Sequence, residues 1–470
     1  MVSPESVIRY GVNVAKNYNL EYYEIRYQSV YSEDIIISNG KSPKVYRNID
    51  AGIGIRVIHE GGVGFSSTNI LTRAYIERAI KDATENARLN SRKVSLKTAP
   101  YEESDKSISY FISERIKYID IPIDERIAFL LDLARSVESY INAVRIYEVK
   151  IKYTREEKLV ENSDGISVYS RIPRTLITYR LNGFDNGRIL TRTYSIGGSG
   201  GFEIIKESNI NDVLNNDVKA LSNYIERAEK IPTSELDLIF SSEVVKALIY
   251  EIGRSLEADR ILRIKPSKDD RSLFTSSSLG EKIGNSEIHI SDDPTIPSSY
   301  GFYLYDDECV KARKHELIKE GYVNEFLHSR LTASLMQGAS SNGASRAYSF
   351  NVEPSTTISN IYLEAGDYNF DELIEDIVYG VYAKSLFDWM VLNRGTAIRL
   401  NILEAYLIEN GSITTPIKNL TIEIPIYDML SKIDARGMDI KLYPVCKHKI
   451  PSSSGGPSVR IRNIKVFGGV

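Results

Sequence analysis

Residues 241–260 read S-S-E-V-V-K-A-L-I-Y-E-I-G-R-S-L-E-A-D-R, and the fold of the C-terminal half turns on how this stretch is read. Ser241 and Ser242 are hydroxyl residues suited to an N-cap. Val244, Val245, Leu248, Ile249, Ile252 and Leu256 recur at helical spacing and project onto one arc of about 140°. Glu243, Tyr250, Arg254 and Glu257 fall on the opposite side. The pattern predicts a surface or interface helix with one buried stripe, a Tyr250–Arg254 contact and an Arg254–Glu257 ion pair. Gly253 costs such a helix about 1 kcal/mol relative to Ala. Something is therefore expected to pack close against the backbone there.

A chain of 470 residues, 42% of them hydrophobic, is long enough for two or more domains. Its 59 basic and 63 acidic residues are well mixed and leave a net charge of −4, so no basic block offers a surface to nucleic acid. Cys309 and Cys446 form neither a disulfide framework nor a C-x-x-C pair. The five histidines are dispersed, and no two have metal-ligand spacing on one helix. No stretch approaches the ~20 apolar residues of a membrane span, and M-V-S-P-E-S-V-I-R-Y lacks an apolar signal core. The expectation is a soluble, cytoplasmic protein with no membrane partner.

Working outward, the N-terminal half alternates helices with hairpins. Residues 3–18 read as a helix with Ser3 at the N-cap and Pro4 at its first position. Strand-forming residues then lead to an Asn39-Gly40 turn, and residues 51–68 are β-branched alternation broken at Gly61-Gly62. Residues 71–89 are helical in pattern. Gly52-Ile53-Gly54 lacks the third glycine and the following helix of a dinucleotide loop, so a structural turn or close strand packing is expected of it. Residues 91–120 look polar and irregular, 124–138 helical, 143–193 a run of antiparallel strands, and 210–229 helical. The cluster Gly197-Gly198-Ser199-Gly200-Gly201 has no lysine or arginine at P-loop spacing and reads as a close backbone passage.

Beyond Ile231-Pro232, L-D-L-I-F reads as a strand feeding the quoted helix. Asp292-Asp293 and Asp306-Asp307-Glu308 carry oxygen donors, but neighbours on a strand face opposite ways, so turn and hydrogen-bonding roles are expected. Residues 370–383 read as an amphipathic helix and 404–421 as a hairpin over Asn410-Gly411. Cys446 and His448 form a C-x-H pair on a presumed strand.

The G-I-G-I-R-V run over residues 52–57, the L-E-A-D that ends the helix and the 404–421 hairpin resemble the TldD/PmbA family of metallopeptidases, its TldD branch most. In that family the equivalent helix carries H-E-x-x-x-H, then G-L-E-x-D, with two histidines on zinc and the glutamate activating water. Aligning L-E-A-D places Ile249 and Arg254 at the histidines and Tyr250 at the glutamate, and a shift of one residue restores no histidine. Ile249 has no lone pair for zinc, and Arg254 stays protonated and repels a dication. Tyr250, with a reference pKa of about 10, is a poor base for bound water. The resemblance puts Cys446 where the family has its cysteine ligand, and one thiolate alone does not hold zinc. It also puts Cys309 where glycine is usual.

Residues 339–350, A-S-S-N-G-A-S-R-A-Y-S-F, match a family loop at Asn342, Gly343, Arg346 and Tyr348. As substrate-binding residues they would take peptide backbone through Asn342 and a carboxylate through Arg346. An ordered connecting loop is the equal alternative. The resemblance implies an α+β fold. An N-terminal α/β domain spans residues 1–230, with a strand-rich middle at 143–203. A mostly antiparallel β domain over 231–470 carries the former zinc helix.

No catalytic residue, metal or other cofactor is expected in this chain, zinc belonging to the family's catalytic subunit. The family's active form pairs a zinc-bearing with a zinc-free subunit, and an extended peptide lies between them as an added strand. Three functions follow. The chain is the zinc-free partner in a homodimer or in a heterodimer with a zinc-bearing paralogue. Otherwise it is a peptide-binding scaffold, or a peptidase whose metal sits on Cys446, His448 and the carboxylates of 306–308.

Overall fold

The computed structural model describes residues 3–39, 42–90, 106–137, 144–185, 187–264, 272–447 and 449–467. Helix α1 (Pro4–Ala15) starts where the sequence places it, the Ser3 hydroxyl accepting the Ser6 N–H. Strands β1 (Tyr22–Ser38) and β2 (Lys44–His59) form a long antiparallel pair. β3 (Gly62–Thr68) returns along β2 through Glu60 and Gly61, whose φ angles of 53° and 71° suit a two-residue hairpin turn. The turn thus sits one residue earlier than Gly61-Gly62. Gly62 instead admits helix α2 (Arg73–Leu89), since a Cβ there would stand 1.9 Å from the Ala87 carbonyl oxygen.

β4 (Ser107–Phe111) lies inside the stretch read as irregular and pairs in parallel with residues 167–171; residues 91–105 of that stretch lie outside the described residues. Helix α3 (Ile123–Arg135) leads to β5 (Val144–Asn162), β6 (Ser167–Asp185) and β7 (Arg188–Ser199). The sheet runs β3-β2-β1-β5-β6-β4, with β7 also on β6. At its end the glycine cluster passes close to other backbone. A Cβ on Gly198 would meet the Ser298 carbonyl oxygen at 2.4 Å, and one on Gly201 the Ile116 carbonyl oxygen at 2.2 Å. Helices α4 (Glu203–Lys206) and α5 (Ile210–Glu226) then lead to β8 (Ser234–Phe240).

Among the described residues, the C-terminal half is built on two large sheets and one small two-stranded sheet. Strands Tyr379–Leu392, β8, Val459–Phe467, Thr421–Pro425 and Ala397–Glu409 pair in that order, and the last also pairs with the first, closing a ring. A six-stranded sheet holds Ile290–Asp292, Asn360–Leu363 and Ser452–Gly456 at its centre. Helix α6 (Ser242–Ser255) leaves β8 and packs between ring and sheet. The architecture is α+β, and among the described residues no helix is long and apolar enough to cross a membrane.

Residues 370–383 correct the sequence reading. Only Phe370–Ile374 is helical, and from Tyr379 the chain is a ring strand paired to β8 on one side and to Ala397–Glu409 on the other. Two ladders of backbone hydrogen bonds outweigh the weak helical period of Y-G-V-Y-A.

Candidate functional site

Ser241 caps α6, accepting the N–H groups of Glu243 and Val244 at 3.2 and 3.4 Å. The whole apolar stripe from Val244 to Leu256 is buried. Gly253 is the contact its cost foretold: a Cβ there would lie 2.0 Å from Cδ1 of Ile361 on the neighbouring sheet strand. The helix stops at Ser255, Glu257 is extended, and a short helix α7 (Ala258–Ile261) follows, so the quoted stretch is not one continuous helix.

The other face of α6 is enclosed too, which corrects the surface reading to the interface one. Glu243 pairs with Arg192 of β7, and Asp217 of α5 holds the same guanidinium at 2.7 Å. Tyr250 packs edge-on against Trp389, whose indole N–H donates to Glu251 at 2.9 Å. Glu243 is thus neutralised by the N-terminal half of the chain, while Glu251 is met by Trp389 and Lys447 of the C-terminal half. Periodicity cannot separate an enclosed polar face from a surface one.

Ile249 is 2% exposed within the apolar core. Burial pushes the Tyr250 phenol well above its ordinary value, with Arg254 opposing. Arg254 pairs with Glu257 at 3.3 Å, as the helical spacing predicts, and Arg260 shares that carboxylate at 2.9 Å. A hydrocarbon, a proton-retaining phenol and an ion-paired guanidinium make no zinc donor set. Among the described residues no three His, Cys, Asp or Glu side chains converge as a metal cage. The Cys446 thiol reaches solvent, and Ser195, Lys150, Lys152 and Lys246 surround it. The enclosing protein pushes the thiol up, while the Ser195 hydrogen bond and the lysines pull it down. His448 lies outside the described residues, and with it the Cys446–His448 pair.

The acidic clusters take hydrogen-bonding roles, as expected. Asp306 accepts the N–H groups of Glu308, Val310 and Ser345 at 2.9, 2.8 and 3.1 Å. Asp307 accepts from Ala347 N–H and from Lys158, and Glu308 accepts the Arg330 N–H at 2.7 Å and pairs with Arg56. Cys309, buried beside them, has φ 61°, the left-handed region that favours glycine.

A cavity of about 360 Å³ opens where α6 ends, lined among others by Arg254, Glu257, Arg260, Arg346, Tyr348 and Lys449. Of the four loop residues singled out in the sequence, Arg346 and Tyr348 face it. Asn342 does not line it: its side chain donates to the Phe326 carbonyl and accepts the His328 N–H, both at 2.8 Å. Gly343, at φ 80°, also stands back, and a Cβ there would meet the Lys311 carbonyl oxygen at 2.5 Å. Arg260 and Lys449 were not legible as site residues, since neither belongs to a motif and only the fold joins them.

Family models describing the PmbA/TldA metallopeptidase match the chain in three parts: domain 1 over residues 23–87, the central domain over 116–230 and the C-terminal domain over 233–468. The chain belongs to the TldD/PmbA family. A metalloprotease of Methanocaldococcus jannaschii is 29% identical over 448 residues, covering 94% of this chain and 96% of that protein. A zinc metalloprotease TldD homolog of Saccharolobus solfataricus is 26% identical over 471 residues, 97% of this chain and 99% of that one. The crystal structure of TldE from Thermococcus kodakarensis shares the fold at TM-score 0.77 and 18% identity, covering 99% of both chains. The C-terminal family match contains α6 and every residue named on the cavity wall.

Proposed function

We propose that this TldD/PmbA-family chain is a zinc-free subunit that pairs with a zinc-bearing relative in the cytoplasm and shapes the cavity that holds an extended peptide. One observation carries the reading. Ile249, Tyr250 and Arg254, which the family resemblance aligns with its three catalytic helix positions, are a core hydrocarbon, a buried phenol and an ion-paired guanidinium on a capped helix. Arg346 and Tyr348 face the peptide in this reading, while Asn342 and Gly343 hold their loop in shape.

Elemental analysis and peptidase assays on the purified chain, followed by affinity isolation from its native source, test the proposal. The expected result is no stoichiometric zinc and no peptidase activity from the chain alone, with a zinc-bearing relative and activity recovered together in the native complex. Stoichiometric zinc with activity from this chain by itself overturns it. Isolation with no zinc-bearing relative leaves a peptide-binding scaffold as the function.

A further inference from the structure

Among the described residues, the cavity beyond α6 has a wall rich in charged side chains. Arg254, Arg260, Arg346 and Lys449 line it against two carboxylates, Glu257 and Asp259. Both carboxylates are committed. Glu257 serves Arg254, Arg260 and the Ile358 N–H at 3.2 Å, and Asp259 accepts the Thr356 N–H and hydroxyl at 2.6 and 3.1 Å.

Arg346 is the member that structure alone does not account for. It is 4% exposed and donates to two neutral carbonyls, those of Pro451 and Ile358. Its guanidinium lies over the Tyr303 ring, and its Nε has no hydrogen-bond partner. Among the described residues no carboxylate stands within ion-pair distance of it, although every other buried arginine of the interdomain region has one. A buried guanidinium without an anion is unfavourable unless an anion arrives from outside. A planar donor group of this kind matches a carboxylate.

The rest of the wall narrows the ligand. A volume of about 360 Å³ exceeds the needs of a lone ion and falls in the range of small-ligand pockets. Val352, Ile450 and the Tyr348 ring add apolar surface, and Lys449 stands exposed at the rim, its Nζ 4.5 Å from the centre of that ring. We propose that this cavity receives the C-terminal residue of a peptide, its carboxylate on Arg346 and Lys449 and its side chain against Val352 and Ile450. The assignment rests on the peptide-binding reading above and names the end of the peptide that this chain holds.

The test is fluorescence anisotropy on the full chain with an N-terminally labelled, randomised octapeptide pool in two forms, free acid and C-terminal amide. The acid pool is expected to bind at least about tenfold more tightly, as befits a hydrogen bond to a charged group. Arg346→Gln is expected to abolish that preference. Lys449→Gln, at an exposed position where folding is not at stake, is expected to reduce it several-fold. Equal binding of acid and amide overturns the inference and leaves the peptide-binding function standing. An acid preference unchanged in both variants overturns the assignment to this cavity. Binding of acetate or inorganic phosphate with no peptide binding by either pool, with or without the native partner, overturns both readings.

Discussion

Two charged regions of this chain meet at the 339–350 loop and are built on opposite principles. Between the N-terminal sheet and the 306–308 turn, cations and anions alternate. Arg56 pairs with Glu24 at 2.8 Å and with Glu308, Lys158 with Asp307 at 2.9 Å and Glu156 at 3.0 Å, and Arg174 with Glu156 at 3.0 Å. Despite burial, Lys158 and Arg174 hold the Glu156 carboxyl down at about 2. Around the cavity Arg254 and Arg260 share the Glu257 carboxylate, and among the described residues no carboxylate stands within ion-pair distance of Arg346, Asp292 and Asp307 acting on it from further off. A balanced buried network fastens two halves of a protein together. A buried guanidinium with no close carboxylate is the basis of the ligand site proposed above.

The largest effect is expected where the balanced network is cut. Glu308→Gln leaves Arg56 buried with only Glu24 for a partner, and loses a charged acceptor for the Arg330 N–H. Chemical denaturation should record a loss of about 3–5 kcal/mol, the cost of breaking a buried pair from one side. A loss under about 1 kcal/mol would show that these ions do not fasten the halves.

On the cavity side, Gly253→Ala sets helix propensity against packing. The substitution gains about 1 kcal/mol of propensity, but the Cβ collides with Ile361 at 2.0 Å. Overpacking costs typically about 1–3 kcal/mol, so net destabilisation is expected by thermal unfolding. A rise in Tm would mean that α6 and the sheet are free to move apart.

His328 supports the loop that both regions share, its N–H bonded to Asn342 and its Nδ1 3.1 Å from the Thr332 hydroxyl. Burial lowers its pKa to about 4, against a weaker opposing pull from Glu325. The unfolded chain, at about 6.5, therefore binds a proton that the folded chain refuses. Stability from this group is complete above pH ~6.5 and drains away as pH falls towards ~4, about 2 kcal/mol of it by pH 5. Denaturation midpoints at pH 7 and 5, with His328→Phe as reference, check this; a reference variant that loses as much on acidification would assign the effect elsewhere.

The smallest effect belongs to Arg254→Gln. Arg254 is partly exposed, and Arg260 keeps Glu257 occupied, so a change below about 1 kcal/mol is expected in the same denaturation assay. A larger loss would make Arg254 part of the framework and not of the cavity wall.

Much of this was legible in the chain. Ser3-Pro4, Asn410-Gly411, the capped stripe of α6 and the tight approach at Gly253 are local or periodic signals, and each appears in the structure. The short strand Ser107–Phe111 and the strand from Tyr379 were missed, because each is stabilised by pairing with partners distant in sequence. The loop residues Asn342 and Arg346 could be singled out together. Only the fold shows that both bond to backbone carbonyls and that Arg346 alone of the two also lines a cavity with Arg260 and Lys449.

The sequence by itself determined the chemistry at the three helix positions. Ile249 cannot ligate, Arg254 cannot lose its charge and Tyr250 is a weak base wherever they sit, because those limits belong to the side chains. The tertiary structure decided which charges are matched. Ion pairing depends on distances between residues hundreds of positions apart, and no local pattern encodes whether a buried guanidinium will find its anion within the chain or take it from a ligand.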